Sequence, residues 1–166
     1  MNERARRFWF LLLFTVAVFH MGAHTSQAFV NYPAWKYLGA EGFPAYHRVM
    51  TSGALRWLLF PRVVELLLGA LVLRFPPGPL KRWTLALPIA LAFGGLVCTL
   101  AIQRPLHVQL ESLGNTPELL ARLEATDWLR QALEWPRIGL YLWMAAVLLC
   151  PPSAGASTGD FDKRVI

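Results

Sequence analysis

Four blocks of apolar residues, Phe8–Val30, Leu55–Phe75, Trp83–Gln103 and Trp135–Cys150, alternate with more polar segments, and they decide what this chain can fold into. A helix needs about 20 mostly apolar residues to cross the hydrocarbon core of a bilayer. The first three blocks meet that length. The fourth meets it only if the Asp127–Glu134 stretch continues as helix above the membrane, or if the bilayer thins around it. Across 166 residues, 55% hydrophobic residues and seven Trp exceed what a small soluble core needs, and they fall in these blocks. A backbone in hydrocarbon must satisfy its own hydrogen bonds, which helices do. The expectation is an all-α integral membrane four-helix bundle with partly helical outer loops. One transmembrane domain covers residues 1–150, and a flexible cytoplasmic tail, rich in Gly, Ser and Ala, covers 151–166.

The formal net charge of +6 has no basic stripe with interleaved aromatics behind it, which removes nucleic acid from the expected partners. The cations sit mainly at block ends. Arg4, Arg6, Arg7, Arg74, Lys81, Arg82, Lys163 and Arg164 share one side if the first helix inserts amino end inward. The short inner link 75–82, with Pro76, Pro77, Gly78 and Pro79, is densely positive. Both termini are therefore expected in the cytoplasm, with the chain in a bacterial inner membrane. The leading Arg cluster does not read as a cleaved signal, because its apolar run is longer than a usual h-region and polar Gln27 and Asn31 follow. Cys98 and Cys150 fall at opposite depths, so neither a disulfide nor a metal motif is expected of them.

Proline marks the element ends. Asn31-Tyr32-Pro33 is expected to end the first helix, Pro44 to begin a short outer helix, and Pro61 to kink the second span. Thr116, Pro117 and Glu118 read as the start of a helix in the second outer segment. Gly94-Gly95 permits close helix contact in the third span. Trp35, Tyr37, Tyr46 and Trp57 suit headgroup depth.

Chemistry concentrates on a few ionisable groups. Glu65 lies in the middle of an apolar block, where an isolated carboxylate is very costly and needs a proton, a partner or water. Arg62 is three residues away and Arg137 stands near the outer end of the last span. The bland reading is an ion pair that fastens two helices; the functional one makes Glu65, His107 and Arg137 catalytic groups. His20 and His24, four residues apart, share a helix face in the outer half, roughly 18 Å above Phe8 for His20 at ~1.5 Å per residue. They are metal candidates: with Glu65 and His107 they form a mixed nitrogen and oxygen set suited to iron, copper or zinc. A haem held by one of these histidines is the weaker version, since His107 lies higher. The bland alternative is two neutral imidazoles bonded across helices. Arg62, Trp128, Arg130 and Trp135 are candidates for holding substrate or lipid, with snorkelling at the water boundary the simpler role for Arg104 and Arg130. His47 reads as an interfacial polar residue. Gly-rich phosphate loops, a nucleophile elbow and zinc-finger spacings do not occur in the sequence.

The segments Tyr32-Pro33, Phe43-Pro44-Ala45-Tyr46-His47, Pro61 with Glu65, Gln103-Arg104-Pro105-Leu106-His107, Asp127-Trp128-Leu129-Arg130 and Trp135-Pro136-Arg137 resemble a signature of small four-pass bacterial membrane proteins. That group is distantly similar to the anthrone-oxygenase-like membrane family. The likeness runs from about Gln27 to Leu148. It implies a four-helix membrane fold and an oxidoreductase or oxygenase-like reaction on a lipophilic, quinone-like or polycyclic substrate. This chain departs from the pattern after His47, where Val49, Met50 and Thr51 stand in place of a second histidine, which weakens any metal site built there. A second expectation from another class is a non-catalytic accessory subunit that packs against a larger energy-converting or pigment-bearing membrane complex. Membrane lipid is an expected partner under both.

Overall fold

A computed structural model describes residues 1–150; the expected tail 151–166 lies outside the described residues. All the secondary structure within them is helical. Helix α1, Glu3–Ser26, starts at Asn2, whose side chain accepts a hydrogen bond from the Ala5 N–H. It runs through a π-turn, Gln27–Asn31, into α2, Tyr32–Trp35. Helix α3, Phe43–Ala54, passes through a second π-turn, Leu55–Leu59, into α4, Phe60–Arg74. Helix α5, Arg82–Cys98, passes through a third, Thr99–Gln103, into α6, Arg104–Leu113. Helix α7, Pro117–Leu149, is unbroken and about 50 Å long at ~1.5 Å per residue. The Thr116 hydroxyl caps it by accepting from the Leu119 N–H, and Pro117 fills its first turn, as the sequence predicts. The polar Asp127–Glu134 stretch and the last apolar block are thus one helix.

Each π-turn ends immediately before an X-Pro step: Tyr32-Pro33, Phe60-Pro61 and Arg104-Pro105. In an α-helix a proline ring collides with the carbonyl four residues back and leaves it without a donor. A wider π-turn relieves the collision and lets the helix continue. That corrects the expectation at Asn31-Tyr32-Pro33, where the helix widens and runs on to Trp35 instead of ending.

Three helical runs are long and apolar enough to cross a membrane: Glu3–Trp35, Arg82–Leu113 and Pro117–Leu149. The run 43–74 is of similar length, but Arg56, Arg62, Glu65 and Arg74 fall in its apolar part, and it is not among them. The run 3–35 packs on 43–74, which packs on 82–113, which packs on 117–149, which returns to 3–35. Gly69 lets α4 approach α5, since a Cβ there would sit 2.9 Å from Ile89 Cγ1.

The interior is layered. At the end near both described termini, Phe10, Leu13, Ala17, Val72, Leu85, Tyr141, Met144 and Leu148 form an apolar core. At the opposite end Tyr32, Trp35, Phe43, Leu106, Leu110, Leu119, Leu120 and Leu123 form an apolar cap. Trp35, a residue suited to headgroup depth, is fully buried within this cap, because α2 turns it inward against Phe43 and His47. Between the two apolar layers lie the buried charges.

Candidate functional site

Helix α7 supplies most of the polar layer. Asp127, Arg130, Gln131, Glu134, Arg137 and Tyr141 recur at three- and four-residue spacing, so they line one face, and all are buried. Facing them are Arg62 and Glu65 from α4 and His20 and His24 from α1.

Two arginines and two glutamates close a ring. Arg62 donates from Nη1 to Glu65 Oε2 at 2.9 Å and from Nη2 to Glu134 Oε1. Arg137 donates to Glu65 Oε1 and to Glu134 Oε2. Every carboxylate oxygen is used and the formal charges cancel. An ion set removed from water is tolerable only when its geometry is good and its remaining polar atoms are paired. Gly95 of α5 makes room for it: a Cβ there would stand 2.9 Å from Glu134 Oε1 and 3.6 Å from Arg62 Nη2. Of the Gly94-Gly95 pair, expected to permit close helix contact, Gly95 faces this ring and Gly94 faces the Leu133 side chain of α7. Glu134, which is not among the expected site residues, therefore holds as many links as Glu65.

A second cluster lies beside it. Arg130 is buried and donates to Asp127 Oδ1 from Nε at 2.8 Å, and from Nη2 to the Tyr32 hydroxyl at 3.1 Å. Gln131 donates to Asp127 Oδ2 at 2.9 Å. Snorkelling is thus corrected for Arg130, whose carboxylate partner sits one helical turn away inside the protein, while Arg104 is exposed. The Tyr32 hydroxyl accepts the Arg130 hydrogen bond and lies 3.3 Å from His107 Nε2. His107 Nδ1 in turn lies 3.0 Å from His47 Nε2, so one of these two imidazoles donates to the other. His47 is fully buried against Trp35 and Phe43, not interfacial, and burial holds its pKa below the ordinary histidine value.

A cavity of about 430 Å³ opens beside these clusters. Leu55, Leu58, Leu59, Leu96, Leu100 and Val108 form its apolar walls, and His20, His24, Arg62, Arg130 and Glu134 its polar end. Leu55, Leu100 and Val108 are exposed on the outer faces of their helices, so the opening lies between the runs 43–74 and 82–113. His107 also lines it. Glu65 and Arg137 do not: they stand behind Arg62 and Glu134. Trp128 and Trp135 are exposed on the outside of α7, away from the cavity.

His20 and His24 stack with ring centroids 6.0 Å apart. Each faces a carboxylate, His20 Nδ1 at 3.7 Å from Glu134 Oε2 and His24 Nε2 at 3.6 Å from Asp127 Oδ1. Among the described residues no three His, Cys, Asp or Glu side chains converge as a metal would require. The structure brings His20, His24, Arg62, Glu65 and Arg137 into one connected network, and places His107 in the cavity lining, where it contacts His47 behind it. The signal for Asp127 and Glu134 was present in the sequence as the three- and four-residue spacing of polar positions on α7. The His47–His107 contact, between residues far apart in the chain, had no such signal.

No family model, curated protein or solved structure matches the chain.

Proposed function

We propose that the protein is a four-span integral membrane protein with both termini in the cytoplasm of a bacterial inner membrane, and that it takes a lipophilic small molecule sideways from the bilayer into the cavity. The observation that carries this reading is the cavity itself, apolar along its walls, polar at one end and rimmed by exposed Leu55, Leu100 and Val108. Helix α4 completes the set of spans because its Arg62 and Glu65 turn inward to partners on α1 and α7, which is how ionisable groups are accommodated at such depth, while Arg56 before it and Arg74 at its end are exposed. An oxidoreductase or oxygenase-like reaction on a quinone-like or polycyclic molecule is the chemistry we assign to the site, with His20, Arg62 and Glu134 nearest the molecule and Glu65 and Arg137 fixing them from behind.

Extraction of the purified protein with organic solvent, followed by mass spectrometry, tests the reading. A single class of lipophile is expected at about one molecule per chain, and Leu100→Trp, which fills the opening, should remove it while the protein stays folded. Equal recovery from both proteins rejects the cavity as its place. An accessory role has its own support in the exposed stripe Trp128, Trp135 and Leu142 on α7, at seven-residue spacing. Mild-detergent purification separates the two: a solitary stable particle opposes the accessory role, and large co-purifying subunits support it.

A further inference from the structure

His20 and His24 share a helix face but differ in what they show the cavity. Both ring nitrogens of His24 are fully covered and lack hydrogen-bond partners. His20 is held differently. Arg62 Nη2 stands 3.1 Å from His20 Nδ1. A guanidinium has donors only and keeps its proton, so Nδ1 must be the acceptor in this contact. A neutral imidazole has one nitrogen of each kind, which puts the His20 proton on Nε2. That nitrogen has no partner among the described residues and is not one of the covered atoms, and His20 lines the cavity. The Nε of Arg62, another cavity-lining residue, is likewise unpartnered and uncovered, whereas the Nε of Arg137 behind it is covered. Both oxygens of Glu134 are engaged by the arginines. The groups free to meet a molecule at this end of the cavity, His20 Nε2–H and Arg62 Nε–H, are donors.

Charge narrows the class further. Arg62 and Arg137 are cancelled by Glu65 and Glu134, Arg130 by Asp127, and at the rim Arg48 lies 3.5 Å from Glu111. Bringing an anion to the deep end would add an uncompensated charge to a neutral cluster out of water, which is costly. A neutral group with lone pairs and no proton of its own fits: a carbonyl.

Resting on the lipophile reading above, we propose that the deep end of the cavity binds the carbonyl oxygen of a neutral ketone- or quinone-bearing lipophile, through the Nε2–H of His20 and the Nε–H of Arg62. Arg62 has a second role, fixing the His20 tautomer through Nδ1. His20 is then the residue that tells a carbonyl from a plain hydrocarbon.

Three probes of equal tail length test this with the full chain in nanodiscs: an alkyl aryl ketone, the alkylbenzene without the carbonyl, and the alkylbenzoate. The ketone should bind about tenfold tighter than the alkylbenzene, the size of effect one or two neutral hydrogen bonds produce. His20→Phe should cut that preference several-fold, with only the Arg62 Nε–H left to the carbonyl, while His20→Gln, whose amide can still donate, should retain more of it. The imidazole ¹⁵N spectrum should show His20 protonated on Nε2, a readout independent of binding. Equal affinity for ketone and alkylbenzene, or a His20 proton on Nδ1, overturns the carbonyl assignment and leaves the cavity reading standing. Tighter binding of the alkylbenzoate overturns it in favour of an anionic head, with exposed Arg104 at the rim as its partner. Saturable binding of none of the three rejects both readings.

Discussion

Residue 95 shows how far the buried charges constrain their neighbours. Glycine is required there because the Glu134 carboxylate, pinned by both arginines, occupies the space a methyl group would take. The far end of a side chain can usually shift, but this one cannot without breaking the ring. Gly95→Ala is expected to destabilise the protein by about 1–3 kcal/mol, the range for overpacking, read as a drop in the unfolding temperature in detergent. The ring makes a sharper prediction. Glu65→Gln leaves two buried guanidiniums facing one carboxylate and should cost about 3–5 kcal/mol. Adding Arg137→Gln restores neutrality, so the double variant should be markedly less destabilised than the sum of the two single ones. Additive losses would mean that the four groups act as separate pairs.

The apolar cap is an assembly of short elements, α2, α3, α6 and the first turns of α7, held by apolar packing and a few polar ties. Asn115 Nδ2 donates to the Trp35 and Leu38 carbonyls, both at 2.9 Å, and so fixes the segment after α2. Asn115→Ala should raise amide exchange and proteolysis across residues 36–42 while leaving exchange in α4 and α5 unchanged. His47 adds a pH dependence. Its folded pKa is depressed by burial, so the cap's stability is complete above the ordinary histidine value near 6.5 and falls as acid protonates His47. Protonation would place a charge on a ring buried against Trp35 and Phe43, and among the described residues the acidic influence on His47 is Glu111. Exchange in the cap should therefore speed up on acidification below pH 6.5, and His47→Gln should flatten that response. Little of this cap is legible in the sequence. Apolar blocks and Glu65 announce spans and a partner, and Thr116-Pro117 announces the start of α7, because length, burial cost and capping are local properties. A proline, by contrast, reads locally as a stop, and only the packing of the neighbouring helix shows that Pro33 is carried through a π-turn. Trp35 and His47 likewise look amphipathic until α6 closes over them.

At the scale of the whole molecule, the arrangement is an apolar core, a neutral layer of buried charge and an apolar cap, wrapped in exposed aliphatic and aromatic side chains such as Phe60, Leu67, Trp83, Phe93 and Trp143. A surface of this kind in water would aggregate, and in lipid it is ordinary. Nothing inside the bundle carries net charge, so orientation rests on the cations at its ends: Arg4, Arg6 and Arg7 before α1, with Arg74, Lys81 and Arg82 around the link between α4 and α5. The link packs close to the amino end, where Arg6 reaches the Pro76 carbonyl at 3.4 Å and Gly78, with φ of 48°, lies against the Glu3 and Arg7 side chains. Cys150 stands exposed at the end of α7 on this same side, and Cys98 is buried. The chain therefore carries its own topology reporter. A membrane-impermeant maleimide should label Cys150 in inside-out vesicles and not in right-side-out ones, and Cys150→Ser should abolish the labelling. Labelling confined to right-side-out vesicles would invert the orientation and place the cap and the His47–His107 pair at the cytoplasmic surface.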